Sequence, residues 1–137
     1  MLISTKGRYA LRVMAELAEH DRGEYVPLKD IAEKQKISIK YLENIIPVLS
    51  KAGVLDGLKG KGGGYRLNRP AKNYSVGEIL RLTEGSLSPV ACLNCKPNQC
   101  EKASSCRTLP MWKGLDEVIC NYLDNYSIAE LIDNANK

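Results

Sequence analysis

Residues 28–46 read LKDIAEKQKISIKYLENII, two short helical patterns with only Lys36 and Ile37 between them. Pro27 suits a first helical turn, where its missing N–H would be unbonded anyway, and Ser38 is an N-cap residue whose hydroxyl accepts a backbone N–H. Two helices joined so tightly form a helix-turn-helix when a small residue lets them cross closely and apolar residues fill the angle. Ala32, Ile37, Leu42 and Ile45 are placed to do both. The turn position four residues after Ala32 favours glycine, which tolerates a left-handed backbone; here it is Lys36, at a cost of about 1 kcal/mol. Pro47 removes a backbone hydrogen bond and is expected to bend the second helix, leaving Ser38 to Ile46 as its exposed reading end.

Upstream, Tyr9, Leu11, Val13, Met14, Leu17 and Ala18 recur at helical spacing from Thr5 to about His20, until Asp21-Arg22-Gly23 breaks the pattern. They predict a first, core-packing helix, with His20 at its C-terminal end in a favourable position towards the helix dipole. Downstream, VLDGLKGKGGGYRLNRP (54–70) holds two strand-like runs, Val54 to Leu58 and Tyr65 to Leu67, around a glycine-rich tip. The glycines have neither the βαβ setting of a dinucleotide fingerprint nor the G-K-S/T of a phosphate loop. They read as the tip of a hairpin wing whose backbone can approach a phosphate or a groove. The expected fold is mostly α with a small β-hairpin wing, a winged helix-turn-helix DNA-binding domain followed by a long dimerisation helix.

Charge agrees with that reading. Residues 1–74 hold 14 Lys and Arg against 8 Asp and Glu, whereas residues 75–137 hold 6 against 8. A basic half beside a mildly acidic one points to an anionic partner for the first, most simply nucleic acid. Lys40, Tyr41, Glu43 and Asn44 are expected to face the major groove, Asn44 towards an adenine and Glu43 towards a cytosine amino group. Lys6, Arg8, Lys59 and Lys61 are expected on phosphates, where they set salt sensitivity. Ser38, at the head of the reading helix, and Gly62, in the wing, complete the expected DNA-binding set.

In the second half, Ser75-Val76-Gly77-Glu78 is a capping box, so a helix is expected from Val76 to about Thr83, with Gly85 ending it. Met111, Leu115, Val118, Tyr122 and Tyr126 then repeat at steps of four, three, four and four beside Trp112 and Ile119, which predicts a long amphipathic helix. A small winged helix already has a core, so this extra apolar helix is expected to pair with a second copy, placing two readers on two-fold-related half-sites of a palindromic duplex. Ser127-Ile128-Ala129-Glu130 is another capping box, opening a final helix expected to serve as structural packing. The chain thus divides into residues 1–74, the reading domain, 75–110, a linker helix and cysteine loop, and 111–137, the dimerisation and C-terminal helices.

Between those helices CLNCKPNQCEKASSC (92–106) packs four of five cysteines into fifteen positions. Lys6 and Arg8 interrupt the start where a signal peptide would run apolar, and no stretch approaches the roughly 18 apolar residues that span a bilayer. A cytoplasmic protein without membrane contact is expected, and in a reducing compartment such clusters are metal ligands or redox groups more often than disulfides. Cys92, Cys95, Cys100 and Cys106 can converge on one centre; zinc or an iron–sulfur cluster accepts four thiolates, and spacing does not choose between them. Cys120, set apart in the long helix, reads as a small buried hydrophobe. One isolated histidine and no Ser/His/Asp or Cys/His arrangement leave no credible general base, so neither an enzyme nor a small-molecule substrate is expected.

ISTKGRYA (3–10), SIKYLE (38–43), GKGGGYRL (60–67), SVGEIL (75–80) and the cysteine loop before Met111-Trp112 together resemble the Rrf family of winged-helix regulators, IscR and NsrR type. The resemblance covers nearly the whole chain. It implies a dimeric DNA-binding transcriptional regulator whose cysteine loop carries an iron–sulfur cluster, a two-iron cluster foremost, with a four-iron cluster or zinc as alternatives. It puts the family's three ligand cysteines on Cys92, Cys100 and Cys106, and DNA contacts on Tyr41, Glu43 and the wing around Lys59. Two positions depart from the pattern. Leu109 stands where the biogenesis regulators have a ligand histidine, and Arg8 stands where nitric-oxide sensors supply an acidic ligand from the partner's first helix. Cys95 is therefore the expected fourth ligand. The competing expectations are a zinc-stapled or cluster-free regulator acting through thiol oxidation or a protein partner, and an interaction or metal-carrier module that does not bind DNA.

Overall fold

The computed structural model describes residues 3–20, 23–90 and 106–135. Ser4 caps the first helix, α1 (Thr5–Ala18), by accepting the Gly7 N–H at 3.0 Å. Helix α2 (Leu28–Gln35) follows, with Pro27 immediately before it, and ends at Lys36, whose φ of 54° and ψ of 44° are left-handed. Ser38 accepts the Tyr41 N–H at 3.1 Å and opens α3 (Ile39–Lys51). Strands β1 (Leu55–Leu58) and β2 (Gly64–Leu67) pair antiparallel, Leu55 opposite Leu67 and Leu58 opposite Gly64. A short 3-10 turn over Ala71–Asn73 leads into α4 (Val76–Glu84), which Gly85 ends at a φ of 78°. After the cysteine segment come α5 (Leu109–Asp124) and α6 (Ile128–Ala135).

This is the mostly helical, winged architecture expected, and the four residues chosen to fill the helix-turn-helix angle, Ala32, Ile37, Leu42 and Ile45, are all buried. One core holds Val13, Met14 and Leu17 of α1, Ile31 of α2, Leu42, Ile45 and Leu49 of α3, and Ile79 of α4. Ile128 of α6 enters the same core with no exposed surface, so the last helix returns to α1 as packing. Its capping box is complete: Ser127 Oγ accepts the Glu130 N–H at 3.2 Å, and Glu130 Oε2 accepts the Ser127 N–H at 3.0 Å.

Helix α3 holds Pro47 inside it and runs on to Lys51. The carbonyl that Pro47 leaves without its helical partner belongs to Glu43, and both residues are exposed, where solvent can take the lost bond. Three local expectations change. The box opening α4 is half made: Ser75 Oγ accepts the Glu78 N–H at 3.0 Å, while the Glu78 carboxylate turns to Arg69, 2.9 Å away. That bond raises the Arg69 guanidinium above its ordinary value. His20 lies beyond the end of α1, its Nε2 3.0 Å from Glu16 Oε2. Cys120 is only partly buried, with Sγ 3.8 Å from Asp116 Oδ1, and it lies beside Arg81 of α4 in polar surroundings.

Candidate nucleic-acid interface and cysteine segment

On α3, Leu42, Ile45, Ile46 and Leu49 face the core, and this leaves Lys40, Glu43 and Asn44 exposed on the other side. Tyr41 sits on the edge between, half-buried, its ring edge-on to Tyr9 of α1 with centroids 5.2 Å apart. Its ring is a strut between α1 and α3, so only part of Tyr41 is available to a ligand. Ser38 Oγ is occupied as a cap acceptor and retains its own hydrogen as a donor.

The turn before α3 is held by a polar group that periodicity alone passes over. Glu16, 4% exposed, accepts from Gln35 Nε2 at 2.8 Å. Arg12 donates to Gln35 Oε1 at 3.1 Å and also to the Gln35 carbonyl. Buried carboxylates persist only when hydrogen-bonded, and here the bonds tie α1 to the end of α2 next to left-handed Lys36. The signal in the sequence was an acidic residue among the apolar positions of the first helix, between Met14 and Leu17.

At the wing, Lys59, Lys61 and Gly62 are exposed, with Gly62 at a φ of 79° over open space. Val26 joins the hairpin as a third edge, its N–H donating to Tyr65 O at 2.8 Å and its carbonyl accepting the Tyr65 N–H at 2.9 Å. A groove of about 540 Å³ runs between α3 and β1, lined by residues including Pro47, Ser50, Leu58 and Lys59. At the start of α1, Arg8 is exposed and donates to Thr5 Oγ1 at 3.0 Å, while Lys6 is half-buried. Glu84, the last residue of α4, accepts both the N–H and the hydroxyl of Ser4, at 3.0 and 2.5 Å.

Cys92, Cys95 and Cys100 lie outside the described residues. Cys106 is described: half-buried just before α5, its Sγ lies 3.3 Å from Thr108 Oγ1. Leu109, at the position of the family's histidine, is 6% exposed and belongs to the hydrophobic interior, so no ligand side chain is available there. Among the described residues no group of three or more His, Cys, Asp or Glu is assembled to hold a metal. A partly exposed thiol at Cys106, with three more in the preceding fourteen positions, is a donor set that suits a thiolate-bound centre.

The outer face of α5 carries Met111, Leu115, Val118 and Tyr122, between 39% and 65% exposed. Its inner side is fastened to α4 by two Arg81–Asp124 bonds, Nη2 to Oδ2 at 3.1 Å, and these raise the Arg81 guanidinium above its ordinary value. No described helix is long and apolar enough to cross a membrane.

A helix-turn-helix with an exposed polar row, a lysine-bearing hairpin beside it and an appended apolar helix define a winged-helix DNA-binding transcriptional regulator. Residues 3–134 match the Rrf2 model, described as an iron-dependent transcriptional regulator, and the chain belongs to the Rrf2 family. It is 36% identical over 134 residues to the HTH-type transcriptional regulator IscR of Yersinia pseudotuberculosis, an alignment covering 98% of this chain and 80% of that protein. Among solved structures it is similar to CymR, the global cysteine regulator of B. subtilis, with a TM-score of 0.82, 31% identity and 98% of both chains covered. IscR of T. potens superposes with a TM-score of 0.78 at 35% identity, covering 98% of this chain and 88% of that one. The oxidized form of S. aureus CymR gives 0.75 at 33%, with 96% of each chain covered. IscR is named a transcriptional regulator, a non-enzymatic role.

Proposed function

We propose that the protein binds a palindromic duplex operator as a homodimer, and that an iron–sulfur cluster held by Cys92, Cys95, Cys100 and Cys106 controls its operator affinity. The observation that carries the DNA reading is the exposed row Lys40, Glu43 and Asn44 on α3, set beside the exposed wing lysines Lys59 and Lys61. Residues 1–74 act as the reader, 75–110 as the sensor and 111–137 as the dimerisation arm. Lys6, Arg8, Lys59 and Lys61 meet phosphates, Gly62 lets the wing backbone come close, and Ser38, Lys40, Tyr41, Glu43 and Asn44 meet the major groove. The sensor reading is supported by the four thiols within fifteen positions and by kinship with IscR. When bound, the cluster, foremost a two-iron one, supplies a centre responsive to redox change or nitric oxide.

The protein's own residues offer a route from that segment to the DNA face. The chain leaves α4 after Glu84 and reaches Cys92 eight residues on; Glu84 holds Ser4 at the head of α1, and α1 braces α3 through Tyr9 and Tyr41. Regulation requires the two cluster states to differ in DNA affinity. The test is purification without oxygen, an absorption spectrum with iron, sulfide and zinc assays, and duplex titrations before and after cluster removal. A coloured iron protein whose two forms differ in affinity supports the proposal; equal affinities sink cluster control. A colourless zinc protein leaves a stapled regulator. Cluster-free protein whose affinity responds to thiol oxidation leaves the other alternative, for which the similarity to CymR is the favouring observation.

A further inference from the structure

Outside the α5 face, the large apolar side chains left exposed among the described residues are Ile39, at 45%, and Leu58, at 49%. Ile39 is the first residue of α3, directly after its Ser38 cap. We propose that Ile39 is a specificity-determining residue that packs on the 5-methyl group of a thymine in each half-site. The inference rests on α3 being the reading helix.

Four features of Ile39 point the same way. First, α3 supplies Leu42, Ile45, Ile46 and Leu49 to the core, whereas Ile39, at the border of that face, is not part of it and keeps 45% of its surface exposed. Second, residues at the N-terminal end of a reading helix are the ones that reach base edges. Third, a β-branched side chain in a helix keeps essentially one χ1 rotamer, so Ile39 is an apolar wedge of fixed direction that loses little freedom on contact. Fourth, its exposed neighbours Lys40, Glu43 and Asn44 match polar base edges, whereas Ile39 offers no hydrogen bond. Thymine is the base that presents an apolar group in the major groove. Ile39 and Glu43 are four residues apart on one ridge, and Lys40 and Asn44 form the next. A separation of about 5–6 Å along the ridge, against a base step of about 3.4 Å, puts the thymine within about two base pairs of the base met by Glu43.

The test uses the full-length protein and an operator selected from a pool of random duplexes. Each symmetric pair of thymines is replaced in turn by deoxyuridine, which removes the methyl group and keeps the pairing edge. Wild type is expected to lose about fourfold in affinity per half-site at one such pair, the worth of burying one methyl-sized group. Ile39→Ala is expected to bind the thymine and deoxyuridine forms of that operator equally, and Ile39→Val to keep most of the discrimination. Thermal melts of both variants should match wild type, since the side chain lies outside the core. Wild type that binds its operator but ignores every deoxyuridine replacement overturns the inference, as does Ile39→Ala that still discriminates. Absence of salt-sensitive binding to any duplex overturns the assignment of α3 as reader along with it.

Discussion

Tyr74 has no exposed surface, and its hydroxyl ties together the chain on the two sides of the hairpin: it donates to Val54 O at 2.8 Å and accepts the N–H groups of Asn68 and Arg69 at 3.0 and 3.2 Å. Tyr74→Phe keeps the ring and strands those partners around β1 and β2. It should cost about 1–3 kcal/mol in urea unfolding with an unchanged circular dichroism spectrum. Lys36 is the opposite case, an exposed side chain on a left-handed backbone. Lys36→Gly relieves the Cβ penalty and should raise stability by about 1 kcal/mol in the same assay. The strain at Lys36 was legible in the sequence because it is local, fixed by its distance from Ala32 and Ser38. Tyr74 was not, because its carbonyl partner lies 20 positions away and nothing in its surroundings marks it. Glu16 was marked by its place among apolar positions, but its partner Gln35, 19 positions away, was not.

Between elements, the docking of α1 on α4 turns on Gly7. A Cβ there would fall on Glu84 Oε1, with Thr83 Oγ1 at 3.1 Å and Leu80 Cδ2 at 3.2 Å. Alanine is the better helix former by about 1 kcal/mol, but overpacking costs about 1–3 kcal/mol, so Gly7→Ala should be destabilising on balance. Adding Glu84→Ala opens that space, so the double variant should lose less than the two single losses combined, a coupling readable in a double-mutant cycle. Additive losses would place the strain elsewhere. The wing glycines also divide by packing. The sequence suggested that all of them serve approach to DNA, yet a Cβ on Gly63 would strike the Leu58 carbonyl and one on Gly64 the Val26 carbonyl. Gly60 and Gly62 stand over open space and remain available for that approach. For Gly64 the distinction depends on Val26 bridging to Tyr65, a pairing across 39 positions that local patterning does not reveal.

At the scale of the whole molecule, α5 is fastened on one side and exposes an apolar row on the other. Asp124 holds Arg81 of α4, and the chain after α5 rejoins the reading half where Val76 N–H donates to Tyr126 O at 2.8 Å and Ile128 N–H to Tyr74 O at 3.0 Å. The outer row from Met111 to Tyr122 therefore has a fixed orientation relative to α3, and it extends about 16 Å along the helix. A second copy pairing on that row would give two reading helices a defined separation, which a palindromic site requires. The periodicity of this row was legible in the sequence; which side of α5 the core leaves bare became clear only with the Arg81 and Tyr126 contacts. Val118, 64% exposed, tests the arrangement, because a charge there would be stranded in the paired face yet remain hydrated on a single chain. Val118→Asp should sediment as a monomer with a melting temperature close to that of monomeric wild type at high dilution. Its operator affinity should fall by at least about a hundredfold, because the second half-site is no longer met at the high effective concentration that linkage provides. Affinity for an isolated half-site should hardly change. A Val118→Asp protein that still sediments as a dimer would exclude α5 as the pairing face, and one that is monomeric yet binds the full operator undiminished would show that the reading helix acts singly.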